Sequence, residues 1–468
     1  MTTPHGKLTL GWASRDITPS RPVLLLGQFH SRISERVNDP LSVTALAVEA
    51  KNENGACEQA VIVSADHAVI PGFILAQVRE RVRAAAPDLD VKKVFLSATH
   101  THTAPTVTDG IYPPAAPEVM TPAECAEQFV QSASGAIVEA WTNRRPAGVS
   151  WGFGHAVVGH NRRMTYLDGA SKMYGNTNDV NFSHIEGYED HGVDLLFTWD
   201  EKDRLTGVVV NLACPSQVTE GAKCVSADFW HEARVEIRRR LGADLFILPQ
   251  CAAAGDQSPH LLLDKKAEEF MRKGTGVTER EEIALRIADA VEDVLPVAQK
   301  QIRTHAPFRH VARTIDLPVR KVTDEEVAFA RSECDRLRKA DPDVKNSPTF
   351  VHLRRHNRVI QRYEEQKTKP FYPMELHVIR LGDVAMATNP FELFLDFGVR
   401  IKARSQAVQT FLVQLACDWT GYLPTARAVA ARSYGAEVAS NQVGPEGGQA
   451  LVEETLKSID ELWINETR

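Results

Sequence analysis

Apolar positions in the first half of the chain alternate between short solid runs and longer spaced ones. Ala60-Val61-Ile62-Val63 reads as a buried strand, and the spacing after it predicts a helix over 72–85. A second strand is expected at 91–96 and a helix at 124–141. Strands at 208–212 and 245–248 then flank a helix at 233–241. This alternation predicts an α/β fold with a mixed, largely parallel central sheet flanked by helices. The second half has a different texture. Thr278 with Glu281 and Thr323 with Glu326 have the spacing of capping boxes, so each predicts a helix start. Residues 320–370 are charged and thin in apolar groups, which predicts a helical excursion on the surface. Strands return at 376–381, 384–388 and 410–415, the first two joined by a Gly382-Asp383 turn. No Pro/Gly/Ser-rich linker divides the chain, so residues 1–468 are expected to form one large domain.

Composition narrows the classes. Hydrophobic residues are 43% and charged residues 25% of the 468, the profile of an ordinary globular protein. Lys and Arg number 54 against 61 Asp and Glu, a net charge of −7 with no basic cluster, which argues against a nucleic-acid partner. No apolar run reaches the ~20 residues of a membrane span. Residues 1–18 lack a charged start followed by an apolar run, so no secretory leader is expected and a cytoplasmic location is. The seven cysteines are scattered and odd in number, which disfavours a disulfide framework. The expected partner is a small-molecule substrate; the oligomeric state is left open.

The chemistry gathers after strand ends. Five apolar runs lead into polar, small-residue loops: Ser97 to Pro105, Cys214 to Gln217, Gly255 to His260, Asn389 to Glu392, and Asp418 to Thr425. In open α/β sheets the ligand crevice lies beyond the carboxyl ends of strands, so these loops are expected to meet there. His100-Thr101-His102 is the sharpest signal, because residues two apart in an extended segment face one side. Paired imidazoles of this kind suit a metal, or equally two histidines hydrogen-bonded within a loop. Glu392 reads as an oxygen ligand or as a helix-start residue, and Tyr422 as a ligand or a packed aromatic. Ser258 and Cys214 are candidate nucleophiles, although Ser258 lies outside a G-x-S-x-G elbow. His305, His310, His352 and His356 sit in charged surroundings and read as surface residues.

Taken together, Gly11 through Asp16-Ile17-Thr18-Pro19, the Ser-Ala-Thr-His-Thr-His-Thr-Ala-Pro loop, Gly255-Asp256-Gln257-Ser258-Pro259, Pro390-Phe391-Glu392 and Gly421-Tyr422-Leu423-Pro424-Thr425 resemble the neutral/alkaline ceramidase family, over about residues 8–440. The resemblance implies hydrolysis of an amide bond with zinc or another divalent metal. It implies His100, Glu392 and Tyr422 as metal ligands, with His102, Arg162, Tyr434 and Ser258 as further site residues. One position departs from the family. Where a second metal-binding histidine is expected, this chain reads Ala213-Cys214-Pro215-Ser216, and proline has no ligand atom. His231 is the first candidate replacement and Cys214 the second; His231 also reads as an ordinary residue in the first turn of a helix. Residues 1–468 are expected to hold the family's catalytic domain without its C-terminal β-sandwich domain, which makes a smaller or more polar amide or ester than ceramide an expected substrate. The alternatives are a binding protein on an altered scaffold and a Ser or Cys nucleophile hydrolase.

Overall fold

The computed structural model describes residues 5–51 and 57–464; the two ends of the 1–468 unit, and the start of the stretch read for a leader, lie outside them. Two sheets lie face to face. Among the described residues the larger has nine strands. Its order runs from Gln409–Val413 through Val384–Thr388, Phe371–Leu381, His305–Pro318, His5–Asp16, Ser42–Lys51 and Cys57–Ala65 to Val94–Ala98, and Arg145–Pro146 adds to His5–Asp16. The smaller sheet runs Phe246–Cys251, Leu205–Leu212, Gly192–Trp199, Gly148–His155.

Side-chain alternation assigns the layers. Leu196, Val209 and Leu248 of the smaller sheet join the core of the larger one, together with Phe129, Val130 and Ile137 of the helix Pro122–Thr142. Their neighbours Leu195, Val208 and Ile247 face the other way, onto Ile237 of the helix Phe229–Leu241 and Ile287 of the helix Glu279–Ala298. The order is helix, sheet, sheet, helix. Trp12 bridges the two sheets, stacked on Phe246 at 5.5 Å and donating its indole N–H to Thr198 Oγ1 at 2.9 Å.

The helix Gly72–Ala85 has the predicted limits, and Thr278 and Thr323 both close capping boxes. The 91–96 run is corrected: a 3₁₀ turn occupies Val91–Lys93, where Asp90 accepts from Lys92 N–H, and the strand is Val94–Ala98. The sheet is mixed, but antiparallel pairs predominate in the larger sheet rather than parallel ones. Parallel pairing there is confined to Cys57–Ala65 with Val94–Ala98 and Val384–Thr388 with Gln409–Val413, each joined by a helical crossover. Among the other neighbours, Phe371–Leu381 and Val384–Thr388 are joined by the tight Gly382-Asp383 turn, and a tight turn reverses direction.

The 320–370 excursion is a pair of helices, Asp324–Ala340 and Phe350–Glu365, with small clusters of their own around Val327 and Val359 and around Leu337 and Leu353. His310 is corrected from surface to core: it is buried within the larger sheet. No helix among the described residues is long and apolar enough to cross a membrane.

Candidate active site

The five loops are tied to one another by main-chain hydrogen bonds. Ser216 N–H donates to Thr99 O, Gly255 N–H to Leu393 O, Gln414 N–H to Cys251 O, and Ala98 N–H to Leu415 O. Gly255 has to be small, because a Cβ there would lie 2.3 Å from the Glu392 carbonyl oxygen.

His100 follows the strand Val94–Ala98 in the left-handed region, φ 65°. The His-Thr-His segment is therefore not extended, and its two rings meet for a different reason. The turn brings them edge to face, with centroids 4.9 Å apart. His100 Nδ1 lies 2.6 Å from the Ala68 carbonyl, which can only accept, so Nδ1 carries a proton and Nε2 is the nitrogen turned toward the site. Nε2 is buried, has no hydrogen-bond partner, and lies 3.4 Å from Glu392 Oε2.

Glu392 and Tyr422 are brought side by side by a short parallel bridge, Glu392–Leu393 on Tyr422–Leu423, in which the two are register partners. Burial pushes the Glu392 carboxyl up, but the His100 ring, the Tyr422 hydroxyl and the Arg162 charge outweigh it and hold it down at about 2. Tyr422 is driven well above its usual value by burial and by Glu392 and Tyr434. Tyr434 packs edge-on against Tyr422 at 5.3 Å, and burial with Glu392 nearby raises its hydroxyl to about 12.

Arg162 crosses the floor. It donates to Tyr422 Oη at 3.2 Å, Gly255 O at 3.0 Å and Tyr174 Oη at 2.8 Å. The sequence order His160-Asn161-Arg162 places it there, because His160–Asn161 pairs antiparallel with Gln257–Ser258. Ser258 Oγ lies 3.2 Å from Tyr174 Oη and accepts from His260 N–H, and it meets no imidazole. Asp256 accepts from Leu395 N–H and the Asn161 amide, and burial raises it to about 6.

His102 is held by groups that sequence reading left unassigned. Its Nε2 lies 2.8 Å from Gln217 Nε2, and its Nδ1 lies 3.4 Å from Glu220 Oε2. The other Glu220 oxygen is 3.3 Å from His260 Nε2. Burial lowers the His102 pKa more than Glu220 raises it, whereas for His260 the Glu220 bond outweighs burial and the pKa rises. Gly27, at φ 119°, allows the His102 ring to approach; a Cβ there would lie 2.3 Å from its Cγ.

The two candidates for the expected second metal histidine lie as follows. Cys214 turns its Sγ toward the Val158 and Pro215 carbonyls, and burial raises its thiol well above the ordinary range. His231 lies in the first turn of Phe229–Leu241, half-buried, and shares no hydrogen bond, ion pair or ring contact with His100, Glu392 or Tyr422 among the described residues. The helix Phe350–Glu365 forms part of the wall: the Arg355 guanidinium lies 4.7 Å from the Phe29 ring centre and 5.5 Å from that of Tyr434. A separate cavity of about 520 Å³, between residues 106–122 and Phe350, includes none of these groups.

No family model matches the chain, and no curated protein matches it. Solved structures do. Neutral ceramidase from Pseudomonas aeruginosa superposes with a TM-score of 0.70 over 99% of this chain and 76% of that one, at 17% identity. A ceramidase complexed with C2 gives 0.70 over the same shares at 16% identity. The chain has the fold of neutral ceramidase.

Proposed function

We propose that this protein is a metal-dependent hydrolase of the neutral-ceramidase type, cleaving an amide or ester bond of a small N-acyl or O-acyl compound with activated water. The observation that carries the reading is the buried, unpartnered Nε2 of His100 beside the Glu392 carboxylate and the Tyr422 phenol. A nitrogen and two oxygen donors from neighbouring loops suit zinc or a similar divalent cation, and three protein ligands with an open position would be the arrangement of a catalytic rather than a structural site. Such a cation, when bound, lowers the pKa of a coordinated water toward ~7 and polarises a carbonyl.

The remaining steps belong to the protein's own groups. His102 is neutral at neutral pH because burial depresses it, so its Nε2 can accept a proton once the Gln217 amide gives way. Glu220, facing Nδ1, then stabilises the imidazolium, and half-exposed His260 leads from Glu220 toward solvent. The same His102 returns the proton to the leaving amine or alcohol. Arg162 orients the Tyr422 hydroxyl, and Arg162 and Tyr434 are placed to donate to a developing oxyanion. Ser258 supports Tyr174 in this scheme and is not the nucleophile. Residues 1–468 act as one catalytic unit, with the 320–370 helices as part of the pocket wall.

The test is elemental analysis and turnover on a panel of N-acyl and O-acyl substrates, for the parent and His100→Ala. The reading expects His100→Ala to lose one equivalent of metal together with hydrolysis. Unchanged metal content in that variant, or no turnover of any substrate by the metal-loaded parent, would overturn it.

A further inference from the structure

A second group of donors lies outside these contacts. Glu375 and His377 stand two residues apart on one face of Phe371–Leu381, and Cys417 reaches them from the segment that continues to Tyr422. One ligand atom from each lies within 4.8 Å of the others, the one such His/Cys/Asp/Glu group among the described residues. His377 and Cys417 are buried, while the Glu375 side chain is 35% exposed and opens the cluster to solvent.

The hydrogen bonds around His377 close only through the Arg79 guanidinium. His310 Nδ1 lies 3.1 Å from the Gln59 carbonyl, His310 Nε2 lies 2.8 Å from His377 Nδ1, and His377 Nε2 lies 2.6 Å from Glu375 Oε1. The carbonyl only accepts, so His310 carries its proton on Nδ1 and offers a lone pair at Nε2. His377 Nδ1 must then carry the second proton. That leaves the His377 Nε2 lone pair facing a carboxylate oxygen: two neutral rings supply two protons for three contacts. A positive centre belongs at the third. Arg79 already leans on it, with Nη1 3.0 Å from Glu375 Oε2, Nη2 2.5 Å from Oε1, and Nη2 3.4 Å from His377 Nε2.

We propose that Glu375, His377 and Cys417 bind one thiophilic divalent cation of the zinc or cobalt class, with His310 as the positioning residue that fixes the His377 ring. An oxygen, a nitrogen and a sulfur suit these ions, whereas magnesium and calcium take oxygen ligands. The relay from His377 through His310 to the Gln59 carbonyl is the outer hydrogen bonding that sets the tautomer of a ligand histidine. Binding forms the sulfur–metal bond as the Cys417 thiol proton passes to solvent, while Arg79 keeps its bond to Oε2.

The site is structural in placement. Cys417 N–H donates to Leu96 O, in the strand that runs on to His100, and Cys417 lies five residues before Tyr422. Leu415 and Cys417 are held in the left-handed region at φ 52° and 67°, a conformation that needs a fixed surround. A cation here ties the segment carrying Tyr422 to the centre of the larger sheet.

Cobalt titration of the metal-stripped full-length chain tests this, read by the near-ultraviolet charge-transfer band of a thiolate–cobalt bond. One equivalent is expected to develop the band in the parent and also in His100→Ala, which separates this site from the proposed catalytic one. Cys417→Ser is expected to lose the band, and Glu375→Gln to raise the apparent Kd at least tenfold. No band in the parent at saturating cobalt means that a proton alone fills the gap, and overturns the proposal; so does a band that persists in Cys417→Ser. Should Cys417→Ser fail to fold, Glu375→Gln decides, and an unchanged Kd there overturns the proposal.

Discussion

Two imidazole–carboxylate contacts, one just beyond the strand Val94–Ala98 and one within the strand Phe371–Leu381, are wired in opposite ways. At His100 the Ala68 carbonyl takes one ring nitrogen, and the other stands 3.4 Å from Glu392 with nothing bonded to it. At His377 both ring nitrogens are engaged, one by a second histidine and the other by Glu375 at 2.6 Å, with an arginine closing over the carboxylate. The residue types are nearly the same. What differs is the neighbour of the ring nitrogen that faces the carboxylate: at His100 it has no donor beside it, whereas at His377 the Arg79 guanidinium already stands there, so a cation at the second region has to take over that contact.

The largest effect should come from Glu392→Gln, which keeps shape and removes the charge between His100, Tyr422 and Arg162. Hydrolysis is expected to fall about 10³-fold, the scale on which a preorganised polar group acts. Thermal stability should fall at neutral pH, because a carboxyl held at about 2 in the folded chain favours folding when it is ionised. Intact turnover in Glu392→Gln would erase the distinction between the two regions.

The reverse pattern is expected at the second region. His310→Phe leaves the His377 Nδ1–H without an acceptor, at a cost of about 1–3 kcal/mol for an unsatisfied buried donor. Denaturant unfolding should register this more strongly than turnover does. A variant as stable as the parent would mean that the two-histidine relay is not holding the sheet.

The last effect is one of pH, inside the first region. Burial raises Asp256 from 3.8 to about 6 in the folded chain, so ionising it costs more there than in the unfolded chain. Its contribution to stability is therefore fully present below 3.8, falls as the pH rises toward about 6, and is level above that. Asp256→Asn should remove this decline, checked by unfolding free energies across the interval. An unaltered slope would show that Asp256 ionises freely and that the floor beneath Arg162 is wetter than its burial implies.

Some of this was legible and some was not, for local reasons. His100, Glu392 and Tyr422 were visible because each follows an apolar run by a few residues, in a loop too polar to be core. His102 was expected beside His100 on the assumption of an extended segment, yet a left-handed turn at His100 produces the contact. Glu220 and Tyr174 lie in turns, where no periodicity marks them, whereas Gln217 and His260 carried a hint as the ends of the Cys214 to Gln217 and Gly255 to His260 loops. His310 read as surface from its charged neighbours, but strand neighbours alternate faces, and Arg309 and Val311 say little about where residue 310 points.

The sequence by itself determined the elements: the helix limits set by Thr278 and Thr323, the strand runs, and the polar loops after them, because caps and apolar period act over a few residues. Tertiary structure alone decided strand direction, which follows from how far the chain travels between neighbours. It also decided the protonation and partners of each histidine. Those depend on a carbonyl or carboxylate contributed from tens or hundreds of residues away, as Ala68 is to His100 and Gln59 is to His310.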